Sequence, residues 1–472
     1  MSLRLTSAVL AGGIFLVSAC ASAPPAPDAA PVALGTAFSE GLRDVAFDNE
    51  WWTRFDDPQM ESLIAKALAA NKSLDVAQAN IRLAGSLARS ARLNRSYGTS
   101  SSAGANVGRS TGAGQDVEAS ATGNIGASWE MDLFGRIDAE IAAAEFSVQE
   151  ARQLRRDVAV IVASDTALAY VTLRSAQARL HVARKNARTQ LEGLDLLQSL
   201  FANGRATRLD LERADTQYRT TLASIPRLEA SIRTSLNALA ALTGQPATDP
   251  DEELVRLVLE TDDIPEHQGA ILTGNVESLT RRRPDIRAAE AALGRQMSLG
   301  EAARAALFPT IVWNADVFAL FNPDNSVGDL SSLGFGIGPA IQWAGPDLRR
   351  VRANIDASDA RTEAAIAQYE VTVLAALSEV ESALTQYVSE LRRRDDLESA
   401  ATSARRSLEL ARLRFEEGVD DYLDVLDAQR TLLDAEDRLA ESRQQTSEAA
   451  IAAYRALGGI SEDADDIASE PN

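Results

Sequence analysis

Three stretches of the chain alternate apolar with small or polar residues at a period of two. In one, Leu333, Phe335, Ile337, Pro339, Ile341 and Trp343 are interleaved with Gly334, Gly336, Gly338, Ala340 and Gln342. Ile125, Ala127, Trp129, Met131 and Leu133 alternate likewise with Gly126, Ser128, Glu130 and Asp132. Ile311, Trp313, Ala315, Val317, Ala319 and Phe321 have Asn314 and Asp316 among their intervening residues. Successive strand side chains face opposite ways, so each stretch predicts a strand with one apolar and one small or polar face. A soluble sandwich would bury the apolar face; a membrane barrel would turn it to lipid and keep the other on a wet lumen. Alternation alone favours the sandwich. Lengths of about ten residues suit a membrane strand, and Trp129 and Trp343 sit at strand ends, where interfacial aromatics belong. The two hairpins, 97–134 and 309–345, supply four strands, too few to close a barrel. Open edges cannot lie in lipid, so a membrane barrel built from them has to be shared between subunits. Trp129, Met131, Trp313, Phe335, Ile337 and Trp343 are the candidate lipid-facing side chains.

Elsewhere the period is helical. Val371, Leu374, Leu377, Val380, Leu384, Val388 and Leu391 recur at three- and four-residue steps, a seam for a neighbouring helix. The spacing predicts a helix from Asp421 to Leu457, about 55 Å long at about 1.5 Å per residue. Gly458 and Gly459 stop it. Pro226 falls inside the matching helix of the first half, where Ala440 stands in the second, so the first is expected to be kinked.

That matching rests on an internal repeat. Trp129 and Trp343 are 214 apart (343 − 129), and the pairs Arg136/Arg350, Phe201/Phe415, Gly204/Gly418, Leu209/Leu423, Asp210/Asp424, Ala214/Ala428 and Gly244/Gly458 keep that offset. Upstream, Leu74, Asp75 and Val76 correspond to Pro284, Asp285 and Ile286 at a slightly different one. The chain therefore divides into a first repeat at 51–244, a Pro-, Gly- and acid-rich linker at 245–275, a second repeat at 276–459 and an acidic tail at 460–472.

The first residues look like an address. Arg4, the apolar run Ala8 to Val17 and small residues up to Ala19 form a signal peptide over 1–19, too short to span a bilayer. Cys20, the one cysteine, follows directly, as in a lipobox whose thiol carries a diacylglycerol. Residues 20–50, with four prolines between Pro24 and Pro31, read as a lipidated tether. A net charge of −21 argues against a nucleic-acid partner. His181 and His267 lie far apart, and no metal or nucleophile–base spacing stands out, so neither enzyme nor bound cofactor is expected, beyond the lipid on Cys20.

Several motifs together resemble the TolC-like outer-membrane efflux factors. They are Trp51, Trp52, Phe55, Asp57 and Pro58, Trp129 to Arg136, Arg282 to Ile286, Phe308 and Pro309, and Tyr454 to Gly459. The lipobox points to the NodT-like or OprM-like lipoprotein branch. What this resemblance implies is a mainly α fold with a membrane β-barrel. A long coiled-coil-like helical barrel would carry four strands per protomer, closing a twelve-stranded barrel in a homotrimer. It further implies a periplasmic adaptor and an inner-membrane pump, most often of the RND type, as partners. The channel would sit in the outer membrane and pass small toxic compounds outward passively. A surface-tethered coiled-coil scaffold or adhesin would share the lipobox and helices, but would not need two hairpins with an apolar face.

Asp424 and Asp427 lie three apart, on one helix face, and threefold symmetry would gather six such acids about an axis. They resemble the acids ringing the family's periplasmic entrance, with Arg430 matching an arginine that helps to hold it shut. Asp210, at the repeat position of Asp424, resembles an acid near that gate. Where the family has an arginine in the second helix turn this chain has Asp420, so a reversed link is expected, from Arg205 or Arg208 to Asp420 or Asp421.

Overall fold

The computed structural model describes residues 50–109, 117–259, 263–271, 273, 276–321 and 333–459. The signal peptide at 1–19, Cys20, all of the tether but Glu50, and the tail at 460–472 lie outside the described residues, as does part of the linker. A 3-10 turn, Trp51–Phe55, leads into α1 Pro58–Ala70, α2 Lys72–Leu93, β1 Gly98–Arg109, β2 Val117–Met131, α3 Arg136–Ala202 and α4 Arg208–Leu242. After α5 Glu252–Leu259, the same order returns as α6 Val276–Arg282, α7 Pro284–Ala305, β3 Thr310–Phe321, β4 Leu333–Gln342, α8 Arg349–Glu416 and α9 Tyr422–Ala456. The long helices match in length, 67 against 68 residues and 35 against 35, as the constant offset requires. The helix α4 is continuous across Pro226.

Contacts group the described residues into a strand-bearing unit, 81–150 with 289–369, and a helical unit, 50–80 with 151–288 and 370–459. In the strand-bearing unit the four strands form one antiparallel sheet in chain order. Its register puts Trp129 opposite Trp313, Ile125 opposite Val317, Val317 opposite Phe335 and Ala315 opposite Ile337. Directly paired residues share a face, so the alternating residues merge into one apolar surface across β2, β3 and β4. That surface is uncovered in the protomer: Phe335 is 84% exposed and Ile337 77%. The other face carries glycines, Ser100, Ser102, Ser128, Asn124, Asn314 and Asp316, with Val312 and Leu320 of β3 among them. One aromatic interrupts it. Phe318 lies across Gly334, where any added Cβ would collide with its ring, and Asp316 lies against Gly336.

Each hairpin is pinned at its base. The Trp129 indole N–H donates to the Arg95 carbonyl at 3.1 Å, and that of Trp343, one residue beyond β4, to Leu307 at 3.0 Å. Both acceptors stand two residues past a helix end. Phe134 and Phe308 stack beside them, centroids 4.6 Å apart. The two tryptophans thus keep their rings exposed and their one donor satisfied, the arrangement that suits a side chain at a membrane boundary.

The helical unit is organised around α1, α3, α4, α8 and α9. Asp57 caps α1 by accepting from the Gln59 and Met60 amides, with Pro58 in the first turn. That fixes Met60, Leu63, Ile64 and Ala67 against the core. Trp51, fully buried, stacks on Tyr454 at 5.5 Å. The apolar stretch of α3 from Val158 to Leu173 packs here too, with Val160, Ala163, Ala167, Tyr170, Val171 and Leu173 buried. His267 is buried between the hydroxyls of Tyr387 (3.0 Å) and Tyr454 (2.8 Å), and burial pushes its pKa down to about 4. The end of α9 is held by the Arg282–Arg283–Pro284–Asp285 run: Arg283 donates to the Ala456 carbonyl and Arg282 to that of Leu457. Arg283 also pairs with Asp285 and Glu379, both at 2.8 Å.

The predicted α8 seam holds only in part. Val380 and Leu384 are buried, with Leu377 and Leu391 packed alongside, but Val371 and Leu374 are each 57% exposed. Val373, Ala376, Val380, Leu384 and Tyr387 carry the buried stripe instead. Two apolar stripes share this helix, and a period read from sequence cannot say which of them its own chain covers.

Candidate functional site

The acidic residues singled out in the sequence lie in, or just beyond, two turns that close the long helix pairs. Asn203 to Thr207 joins α3 to α4, with Gly204 at φ +68°, and Glu417 to Asp421 joins α8 to α9, with Gly418 at φ +73°. Positive φ is open to glycine at little steric cost, which accounts for the repeated Gly. Leu194, Leu197, Ala214 and Leu426 form a small apolar cluster behind one turn; Ala404, Leu408, Val425 and Leu432 form another behind the second. Tyr422, the first residue of α9, packs against both.

The start of α9 is strongly two-faced. Val425, Leu426, Gln429 and Leu432 are buried, whereas Leu423, Asp424, Asp427 and Arg430 are exposed. The expected common face for Asp424 and Asp427 is therefore present and open. Arg430 donates to Asp427 at 2.6 Å within the same helix. Along this face runs a groove of ≈ 680 Å³ between α4 and α9, with Leu209, Arg213, Leu423, Leu426, Asp427 and Arg430 among its walls.

Asp210 does not share that situation. Its carboxylate accepts from the Thr207 amide (2.9 Å) and hydroxyl (2.6 Å), while the Asp210 amide donates back to Thr207 Oγ1 (3.2 Å). This is a reciprocal capping box, and the bonds from Thr207 hold Asp210 below the usual carboxylate range. At the equivalent place in α9 stand Asp421 and Asp424, and Asp421 makes no side-chain cap. Two carboxylates repel where Thr and Asp reciprocate, so Asp424 is left free of the helix start to which Asp210 is bound. In this protomer Asp210 is a capping residue, not an open acid.

The reversed charge link is also not formed within the chain. Asp420 is taken by Arg414, which donates from Nη2 at 2.8 Å and from Nε, and the carboxyl is held low by that bond. Arg208 pairs with Glu212 one turn along α4 at 2.8 Å. Arg205 is fixed through its amide to the Leu200 carbonyl, closing its own turn. Asp420 and Arg208 each pair on their own hairpin, where a partner is reached without ordering a second one. Thr207, Arg414 and Tyr422 were missed from sequence. The Thr207-x-x-Asp210 spacing is a cap signature that could have exposed the first; Arg414 lies six residues from Asp420 across a glycine turn and carries no such signature.

Known proteins resemble this chain over most of its length. The family model described as outer membrane efflux protein matches residues 63–245 and 275–459. Nodulation protein T of Rhizobium leguminosarum bv. viciae is 28% identical over 456 residues, covering 94% of this chain and 91% of the relative. The toluene efflux pump outer membrane protein TtgF of Pseudomonas putida is 30% identical over 480 residues, covering 95% and 94%. The solved outer-membrane channel OprN superimposes with a TM-score of 0.82 at 31% identity, over 92% of this chain and 99% of that one.

Proposed function

The chain belongs to the outer membrane efflux protein family, and from that premise we propose that three copies close a twelve-stranded barrel in the outer membrane, giving a passive exit duct. It is the outer-membrane channel of an efflux system. A periplasmic adaptor and an inner-membrane pump, of the RND type, supply cargo and energy, and the cargo is small toxic compounds of the kind named for TtgF. A diacylglycerol on Cys20 adds a second anchor to the barrel, as stable attachment by weak signals requires. The chain brings no cofactor and does no bond chemistry. Asp424, Asp427 and Arg430 ring the periplasmic entrance.

One observation carries this reading: β2, β3 and β4 share an uncovered apolar face, while β1 and β4 each pair on one side only among the described residues. In hydrocarbon, each unpaired backbone group costs on the order of several kcal/mol, so the edges must find partners. A neighbouring copy offers its β4 edge to β1. A coiled-coil scaffold would have no use for such a face.

Paired cysteines test it. Residues along β1, such as Ser100 and Ser102, and along β4, such as Gly336 and Gly338, are replaced pairwise by Cys in the chain carrying its native Cys20. Oxidation in the outer membrane is expected to give a covalent trimer for pairs in register. Only monomers across the whole panel would overturn the shared barrel.

A further inference from the structure

The start of α9 lacks the cap that its repeat counterpart has, yet it is not loose against the rest of the turn. Tyr422 provides the hold. Its ring meets Phe415 edge-on at 5.0 Å, and it packs on the apolar clusters of both helix pairs. Its hydroxyl sits over Gly193 of α3, in space that any Cβ at 193 would claim; such an atom would also come within 3.2 Å of Tyr422 Cζ. The repeat does not reproduce this seat. The positions offset by 214 are Ser407 and Arg208, which bring neither a glycine nor a ring. Gly193 also stands mid-helix, where glycine costs about 1 kcal/mol relative to alanine, so helix formation gives no reason for it. The missing side chain is explained by what rests on it.

We propose that Gly193 and Tyr422 form a seat that sets the position of the α9 start, and with it the closed width of the entrance lined by Asp424 and Asp427. The proposal rests on the reading of those acids as an entrance, and makes Tyr422 a positioning residue two places from the first of them. With Asp421 uncapped, the aromatic contact substitutes for the capping box that fixes α4. Arg414–Asp420 ties the preceding turn to α8, and the seat ties the first residue of α9 to α3, ahead of the packing of Leu426 and the Arg179–Asp437 pair further along the helix.

The test uses purified trimers in planar bilayers. Gly193→Ala strengthens α3 by propensity yet evicts the hydroxyl, so resting conductance is expected to rise about tenfold, corresponding to a shift of about 1.4 kcal/mol in the closed-to-open balance. Tyr422→Phe keeps the ring contacts with Phe415 and both apolar clusters that hold the α9 start, loses only the hydroxyl, and is expected to stay near the parent. Gly193→Ala combined with Tyr422→Phe removes the overlap with the hydroxyl, leaving the milder 3.2 Å approach to Cζ, and is expected to return conductance most of the way to the parent level. Should Gly193→Ala fail to assemble, the same rescue is read as recovery of trimer yield. A silent Gly193→Ala, or a Gly193→Ala effect that Tyr422→Phe does not reverse, overturns the seat. Asp424→Asn with Asp427→Asn, in the same bilayers, tests the entrance separately through cation preference. If that preference falls while Gly193→Ala is silent, the seat fails and the entrance stands. If it is unchanged, the entrance reading fails, and the proposal with it.

Discussion

The hydroxyl of Tyr170 stands between a buried cation and a carboxylate, accepting from Arg174 Nε at 3.0 Å and donating to Asp57 at 2.9 Å. Arg174 is fully buried, and its guanidinium also donates to Gln177 at 3.0 Å and to Gln59. Asp57 in turn caps α1. One phenol thereby connects the helix that opens the first repeat to the longest helix of that repeat, and burial together with the Asp57 charge raises its own pKa.

Tyr170→Phe is the least invasive way to break that chain. It leaves the ring in the core and removes one acceptor from a buried charge and one donor from a carboxylate. Leaving such groups short of a partner costs about 1–3 kcal/mol. A lowered thermal midpoint in circular dichroism, with sheet content kept, is expected. An unchanged midpoint would mean that water replaces the hydroxyl.

His267 predicts a pH dependence. The ordinary value is 6.5 and the folded one about 4, because burial disfavours the charged ring. Between these values the unfolded chain binds a proton that the folded chain refuses, so stability is complete above about pH 6.5 and falls as pH drops toward 4. The loss amounts to about 3 kcal/mol at its limit, at about 1.4 kcal/mol per pH unit. Thermal midpoints recorded from pH 7 to pH 4 are expected to fall less steeply for His267→Gln than for the parent. Equal slopes would assign the acid sensitivity to other groups.

Much of this was legible before any coordinates, and what was not has a common cause. The strands were readable because alternation along Leu333 to Trp343 fixes a face without knowledge of partners, and helical spacing placed α9 within a residue at each end: Asp421 to Leu457 expected, Tyr422–Ala456 found. Pairing was harder. Asp210 and Asp424 are equivalent by position, and only the hydroxyl of Thr207 against the carboxylate of Asp421 separates a cap from an open acid. Val371 and Leu374 look like core because helical periodicity reports that a stripe exists, not which surface covers it. The Gly193 seat was invisible, since a glycine in a helix reads as a defect until the ring above it is seen.

That difference between Asp210 and Asp424 can be engineered. Asp421→Thr would rebuild in α9 the Thr-x-x-Asp spacing of α4 and draw the Asp424 carboxylate back to its own helix start. A cap of this kind stabilises by about 0.5–2 kcal/mol. The expected result is a higher thermal midpoint together with weaker cation preference, although Asp424 itself is unchanged. Asp421→Ala removes the same charge without offering a hydroxyl, and is expected to leave Asp424 free. If both variants shift selectivity equally, the lost charge at 421 is responsible and capping is not.

Orientation of the sheet is open to a test on two residues of one strand. Phe335 lies on the apolar face; Gly338, three residues on, lies on the other, and nothing stands within 4 Å of where its Cβ would be. If the apolar face meets acyl chains, Phe335→Arg places a guanidinium in hydrocarbon at about 2–4 kcal/mol per protomer near the midplane. Threefold symmetry repeats that cost in every copy, so trimer recovered from the outer membrane is expected to fall sharply. Gly338→Ser adds a hydroxyl on a wet lumen and is expected to assemble normally. Were the sheet instead buried in a soluble core, Phe335→Arg would release unfolded chain to proteolysis in the periplasm and no membrane-embedded trimer would be recovered from the parent either. The parent trimer, its heat-modifiable mobility and the opposite responses at 335 and 338 therefore separate the two orientations in a single preparation.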